Sequence, residues 1–164
     1  MSRSRKLLIV GGLLLVVWGM SYGLYYALFD EHQTLESITV SLSNGFAAAA
    51  QRDMSKAKAA LDGYETAKFE YAREVDVHSH WSGLALLLIL FGLIFDQVAF
   101  SERVRFYLAM MLVVGSFAFP LGVWLQTVDR GAGPQALAIV GAAFLIIALS
   151  AVAVGFAARQ KGTA

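Results

Sequence analysis

The chain has 164 residues, 58% of them hydrophobic and 15% charged, with a net charge of +1 and no cysteine. That balance lies outside the range of soluble domains and places the chain in the membrane class. The missing cysteine excludes disulfides, thiolate metal sites and thiol redox chemistry, and the few basic residues form short clusters rather than a stripe, so nothing points to nucleic acid.

Arg3, Arg5 and Lys6 precede the first apolar run, Leu7–Phe29. A membrane-crossing helix needs about 20 predominantly apolar residues. This run is longer than the roughly 7–15 residues of a signal-peptide core, and the bulky Tyr25-Tyr26-Ala27-Leu28-Phe29 offers no small-residue cleavage site. It reads as a retained anchor. Gly12, Gly19 and Gly23 recur along it, and Gly19 and Gly23 form a small-xxx-small pair of the kind that lets helices approach closely.

Residues 30–80 form the one sizeable non-membrane segment. Leu35, Ile38 and Leu42 fit a helical face that continues from the first span, although Ile38–Leu42 also alternates like a strand. Ser43-Asn44-Gly45 suits a turn or helix start. Beyond it Phe46, Ala50, Met54, Ala57, Leu61, Tyr64, Tyr71 and Val75 follow the three-and-four spacing of an amphipathic helix. Asp62-Gly63 predicts a break and hence a helical hairpin of 46–61 and 64–76, with a continuous helix into the next span as the alternative. Glu70 and Glu74 fall on the polar face as ordinary surface charges.

Three further apolar runs follow, Trp81–Phe100, Phe106–Gln126 and Ala136–Ala158. Asp96 and Gln97 lie near the end of the second, within reach of Arg103 and Arg105; an interfacial ion pair suffices to explain an acid there, although an intramembrane carboxylate is otherwise a functional suspect. Pro120 predicts a kink in the third, where Gln126 closes the span with a polar end. Ala151 and Gly155 repeat the small-residue spacing in the fourth. Basic residues near span ends are retained in the cytoplasm. Because Arg3, Arg5 and Lys6, then Arg103 and Arg105, then Arg159 and Lys161 fall on one side, both termini are expected in the cytoplasm and residues 30–80 outside. The expected fold is an all-α integral membrane protein of one domain, 1–164: four transmembrane helices in a bundle, with an extracytoplasmic helical segment between the first and second. The compact loops suggest a bacterial inner membrane, with the lipid bilayer and other membrane subunits, or further copies, as partners.

Candidate chemistry concentrates at one interface. Asp76, His78 and His80 lie within five residues, and imidazole and carboxylate suit copper, zinc and iron. On a helix Asp76 and His80 share a face while His78 and His80 stand about 200° apart; on an extended chain the two histidines become a chelating pair. His32 and Glu36, just past the first span, could complete the set. The plain alternative is that histidine, aspartate and tryptophan are ordinary interface residues. Haem between His32 and His80 ranks below a small metal site, and a quinone pocket of Tyr22, Tyr25, Tyr26 and Trp81 below both. No catalytic signature indicates a stand-alone enzyme. The leading expectation is an accessory or assembly subunit of a membrane redox system that binds a metal, copper before haem, at the outer face. The competing one is a non-catalytic structural or interaction protein whose outer helices bind a partner.

Overall fold

The computed structural model describes residues 1–161, and every regular element among them is helical. α1 spans Arg3–Phe29, α2 Glu31–Ala50, α3 Met54–Ile94, α4 Glu102–Val128 and α5 Ala132–Lys161, with a 3₁₀ turn at Phe95–Gln97. α1, α3, α4 and α5 are each long and apolar enough to cross a membrane. Their outward residues fit that setting, since Leu14, Val17, Leu24, Leu90, Ile139 and Ile146 all stand exposed. A soluble monomer rarely leaves so continuous an apolar exterior. Inside, Leu8, Trp81, Leu88, Phe95, Leu112 and Val152 make one buried core.

α1 packs along α3, α3 against α4, and α4 against α5. Close approach depends on glycine. A Cβ on Gly12 would sit 2.9 Å from Ala85 O and 2.7 Å from Ile89 Cγ1, and one on Gly19 would sit 3.1 Å from Trp81 Cβ. The glycine face of α1 is therefore spent on α3 of the same chain. Gly155 similarly receives Val98 and Phe100, and Ala99 N donates to Gly155 O at 3.1 Å.

The segment expected to end the second span at Phe100 leaves the helix after Ile94 and folds back on α5 instead. Polar groups tie the four helix ends together there. Ser2 Oγ caps α1 by accepting from Arg5 N at 3.3 Å and donates to Asp96 Oδ1 at 2.6 Å. Buried Ser4 donates through its N and Oγ to Glu102 at 2.9 and 3.1 Å. Arg5 and Arg105 approach Asp96 at 3.5 and 3.6 Å, and Arg159 donates to Asp96 O at 3.2 Å. Asp96 is thus a structural hub, with Gln97 exposed beside it.

At the opposite end the chain rises into a two-helix hairpin. The hydrogen-bond ladder of α1 runs through Asp30 into α2, with Asp30 N donating to Tyr26 O and Thr34 N to Asp30 O, both at 3.0 Å. The break expected at Asp62-Gly63 is absent: α3 runs unbroken for 41 residues, about 60 Å at 1.5 Å per residue. Ser43-Asn44-Gly45 likewise lies within α2. The reversal comes at Gln51–Asp53, where Arg52 N donates to Ala49 O and Asp53 N to Ala48 O, both at 2.9 Å. This is the Schellman pattern, which places one residue in the left-handed region, and Arg52 takes it with φ 57°. Asp53 then caps α3, its Oδ1 accepting from Lys56 N at 3.1 Å. That bond and the Lys56 ammonium hold its carboxyl below the ordinary value.

A side chain with a Cβ is strained at φ 57°, whereas glycine is not. Arg52→Gly is expected to stabilise the hairpin by up to about 1 kcal/mol, read as slower amide exchange of Ala48–Asp53.

Candidate functional site

The junction between hairpin and bundle collects the residues singled out in the sequence, and the helical course of α3 sends them in different directions. His78 turns toward α1 and lies over Gly23, where any Cβ would strike its ring. Its Nδ1 is 3.0 Å from Gly19 O. A carbonyl only accepts, so it is the Nδ1–H that donates this bond. His80 turns toward α4 and rests against Phe119, ring centroids 4.8 Å apart. The extended pair needed for two imidazoles to chelate one ion is therefore not formed, because successive helical positions rotate by about 100°.

Asp76 is exposed on α3, as are His32 and Glu36 on α2. Among the described residues no three of the histidine, aspartate and glutamate side chains come together as a group that could hold a metal. Gln126 bonds back to Gly122 O in its own helix at 3.1 Å rather than reaching His80.

Beneath His78 and His80 the junction is a rigid aromatic block. Trp81 is 1% exposed; it meets Trp18 and Tyr22 edge-on at 5.8 and 5.2 Å and stacks on Phe117 at 6.3 Å. Its indole N–H donates to Phe117 O at 3.4 Å. Pro120 supplies no N–H to the carbonyl of Ser116, so this bond braces α4 where its own ladder is interrupted. Of the four aromatics considered for a quinone wall, Tyr22 and Trp81 pack in this block, Tyr25 lies against Phe29 and Tyr26 lines a separate cavity.

Above the block lies what sequence reasoning missed. Tyr26, Asp30, Gln33, Thr34, Glu70, Glu74 and Thr127 surround a polar cavity of about 250 Å³. Glu74 is half-buried rather than a plain surface charge, and burial pushes its carboxyl up to about 7. The helical wheel of α3 alone puts Glu70 and Glu74 on a polar face; only the passage of the chain from α1 into α2 across that face encloses them.

Higher on the hairpin the two helices share a thin seam, with Ala48 and Ala67 its buried residues. Phe46 and Met54 are each 74% exposed, and Leu61 is exposed too. An apolar groove of about 270 Å³ runs between them, floored by Gly45, Ala49, Ala57 and Ala60 and rimmed by Leu42, Phe46, Leu61 and Tyr64.

No family model, curated protein or solved structure matches this chain.

Proposed function

We propose that this chain is a non-catalytic interaction subunit of a membrane assembly, anchored by the four-helix bundle and docking a helix of a partner subunit through its projecting hairpin. The observation that carries this reading is the apolar groove on α2 and α3. Two helices alone cannot cover an amphipathic face on both sides, and here large side chains rim a floor of glycine and alanine, a shape that accepts the side-chain knobs of a third helix. The orientation follows from charge: Arg3, Arg5, Lys6, Arg103, Arg105 and Arg159 all lie at the end that carries the termini, which by the positive-inside rule is cytoplasmic. The hairpin then faces out.

Photo-crosslinking from position 46 or 54 in the native membrane is expected to yield one defined adduct with another membrane protein, and crosslinking from exposed Lys58 none. Phe46→Asp should abolish the adduct formed from position 54 while leaving the bundle folded. Adducts only between copies of the chain, or none, would overturn the reading. The other reading, a metal-binding redox subunit, rests on His78, His80, Asp76, His32 and Glu36. Stoichiometric copper or iron in protein purified in mild detergent, lost in both His78→Ala and His80→Ala, would restore it in place of the interaction subunit.

A further inference from the structure

Of the basic side chains at the end of the bundle that carries the termini, Arg5, Arg105 and Arg159 are engaged by Asp96. Arg3 and Arg103 take part in no ion pair among the described residues. Both line one cavity of about 270 Å³, together with Glu102, Phe106 and Tyr107. The acid there is already committed, since Glu102 accepts from Ser4 N and Oγ and pairs with Arg105 at 3.1 Å. Two guanidinium groups without a counter-charge and a phenol at the membrane boundary remain, which is a set of donors for an anion.

A second, apolar cavity continues the first toward the middle of the bundle. Gly11, Leu14, Leu15 and Trp18 of α1 and Val113 and Phe117 of α4 surround about 370 Å³. Arg3, Leu7, Leu14 and Trp18 recur at steps of four and seven along α1, and Arg103, Phe106, Met110, Val113 and Phe117 at steps of three and four along α4. By that spacing the two cavities open on the same side of the α1–α4 contact. Leu14, Trp18, Met110 and Phe117 are exposed along it rather than covered by the chain itself. Arg3 and Trp18 are fifteen residues apart, about 22 Å at 1.5 Å per residue. One leaflet with its headgroups measures about 20–22 Å, so the groove has the length of a single lipid, with charge at one end and hydrocarbon along the rest.

We propose that the α1–α4 groove holds one anionic phospholipid of the leaflet on the side of the termini, its phosphate between Arg3 and Arg103 and an acyl chain laid past Leu14 and Val113 to Trp18. Guanidinium pairs with phosphate through parallel hydrogen bonds, and basic pockets between transmembrane helices select anionic headgroups. A zwitterionic lipid brings an ammonium of its own, for which the cavity has no uncommitted carboxylate. An apolar helix of another subunit would cover Leu14 and Phe117 but supply nothing to the two arginines. The groove lies at the opposite end of the molecule from the hairpin, so this lipid site and the proposed docking of a partner stand independently.

The full-length protein is reconstituted into phosphatidylcholine vesicles, and its tryptophan fluorescence is followed as phosphatidylglycerol brominated near the chain ends replaces part of the host lipid, with brominated phosphatidylcholine as the reference. Bromine quenches an indole only at close range, so a lipid in the groove acts on Trp18, whereas Trp81 is 1% exposed. Phosphatidylglycerol is expected to quench at a lower mole fraction than phosphatidylcholine, and Trp18→Phe to remove the difference. Arg3→Gln and Arg103→Gln should each weaken the preference about fivefold, the scale of one basic side chain at a membrane surface. Lys6→Gln removes the same charge from the same end but outside the cavity, and should leave the preference unchanged. Equal quenching by the two lipids would make the groove ordinary lipid-facing surface, and quenching by neither would mean that a second copy or a partner closes it; either overturns the proposal. So would a preference that survives in the Arg3→Gln/Arg103→Gln double variant, or one weakened as much by Lys6→Gln, which would reduce it to general surface charge. Loss of the preference in sodium phosphate but not in sodium chloride of equal ionic strength would assign the arginines to a free anion instead. The comparison of lipids on the parent protein needs no variant, so a misfolded mutant does not shield the proposal.

Discussion

Gly141→Val and Gly122→Val are each expected to separate α4 from α5 and to lower the stability of the folded bundle by about 3 kcal/mol or more. The two helices approach at backbone distance. A Cβ on Gly141 would meet Phe119 N, and would lie 2.8 Å from Phe119 Cα; one on Gly122 would meet Ala138 N, 2.8 Å from Ala138 Cα and 2.9 Å from Pro134 O. These obstacles are main-chain atoms in helices, so no rotamer change relieves them, unlike the side-chain contact of Gly11 with Val113. Overpacking in a close-packed interior typically costs about 1–3 kcal/mol when side chains can shift, and here a whole helix must move. Within a membrane the loss is sharper still, because helix association rests on van der Waals contact rather than on a hydrophobic difference from lipid. Even Gly141→Ala should be felt. Gly83→Ala and Gly133→Ala are the controls: nothing lies within 4 Å of either added Cβ, and alanine is the better helix former by about 1 kcal/mol, so both should be neutral or stabilising. Detergent melting curves of the five single variants test the contrast, and equal behaviour of Gly141→Ala and Gly83→Ala would refute it.

The same glycines show how much of the fold was legible beforehand. Four apolar runs announce four long helices because length and hydropathy are properties of the chain alone. The role of Gly12 or Gly23 depends on which helix lies opposite, and small-xxx-small spacing does not carry that information. Gly63 is the clearest case. In isolation it reads as a helix break, yet it sits inside α3 because the side chain of Ser41 on α2 occupies the space beside it, 3.2 Å from where a Cβ would stand. The true reversal has a local signal, an aspartate at position 53 able to cap the helix that follows, but it lacks the glycine that often ends the preceding helix in the left-handed conformation. Whether the histidines of the cluster share a face depends on backbone conformation. Its members parted because α3 stays helical through Ser79, sending His78 to α1 and His80 to α4. Of the two arginines close to Asp96 in sequence, Arg105 meets it and Arg103 does not, while Arg5 and Arg159, which meet it across the bundle end, lie far away along the chain.

Glu74→Gln is expected to raise the stability of the protein at pH 8 and to leave it unchanged near pH 4. In the folded chain burial raises the Glu74 carboxyl from 4.5 to about 7. Asp30, Glu70 and the Tyr26 hydroxyl face it across the cavity together with the neutral Gln33, Thr34 and Thr127, and none of them carries a positive charge. Between the two values the folded state binds more protons than the unfolded one, so stability falls as pH rises. The contribution of the neutral carboxyl is fully present below about 4.5 and lost by the time the pH passes about 7. At one pKa unit per 1.36 kcal/mol the whole swing is at most about 3.4 kcal/mol; solvent at the cavity rim reduces it to about 1–2. Glutamine carries no such penalty at any pH, so the difference in Tm between variant and parent, measured in EDTA from pH 4 to 8, should open through that window with glutamine the more stable. A gap that is flat with pH, or one that favours the parent at pH 8, would mean that Glu74 is solvated or already paired.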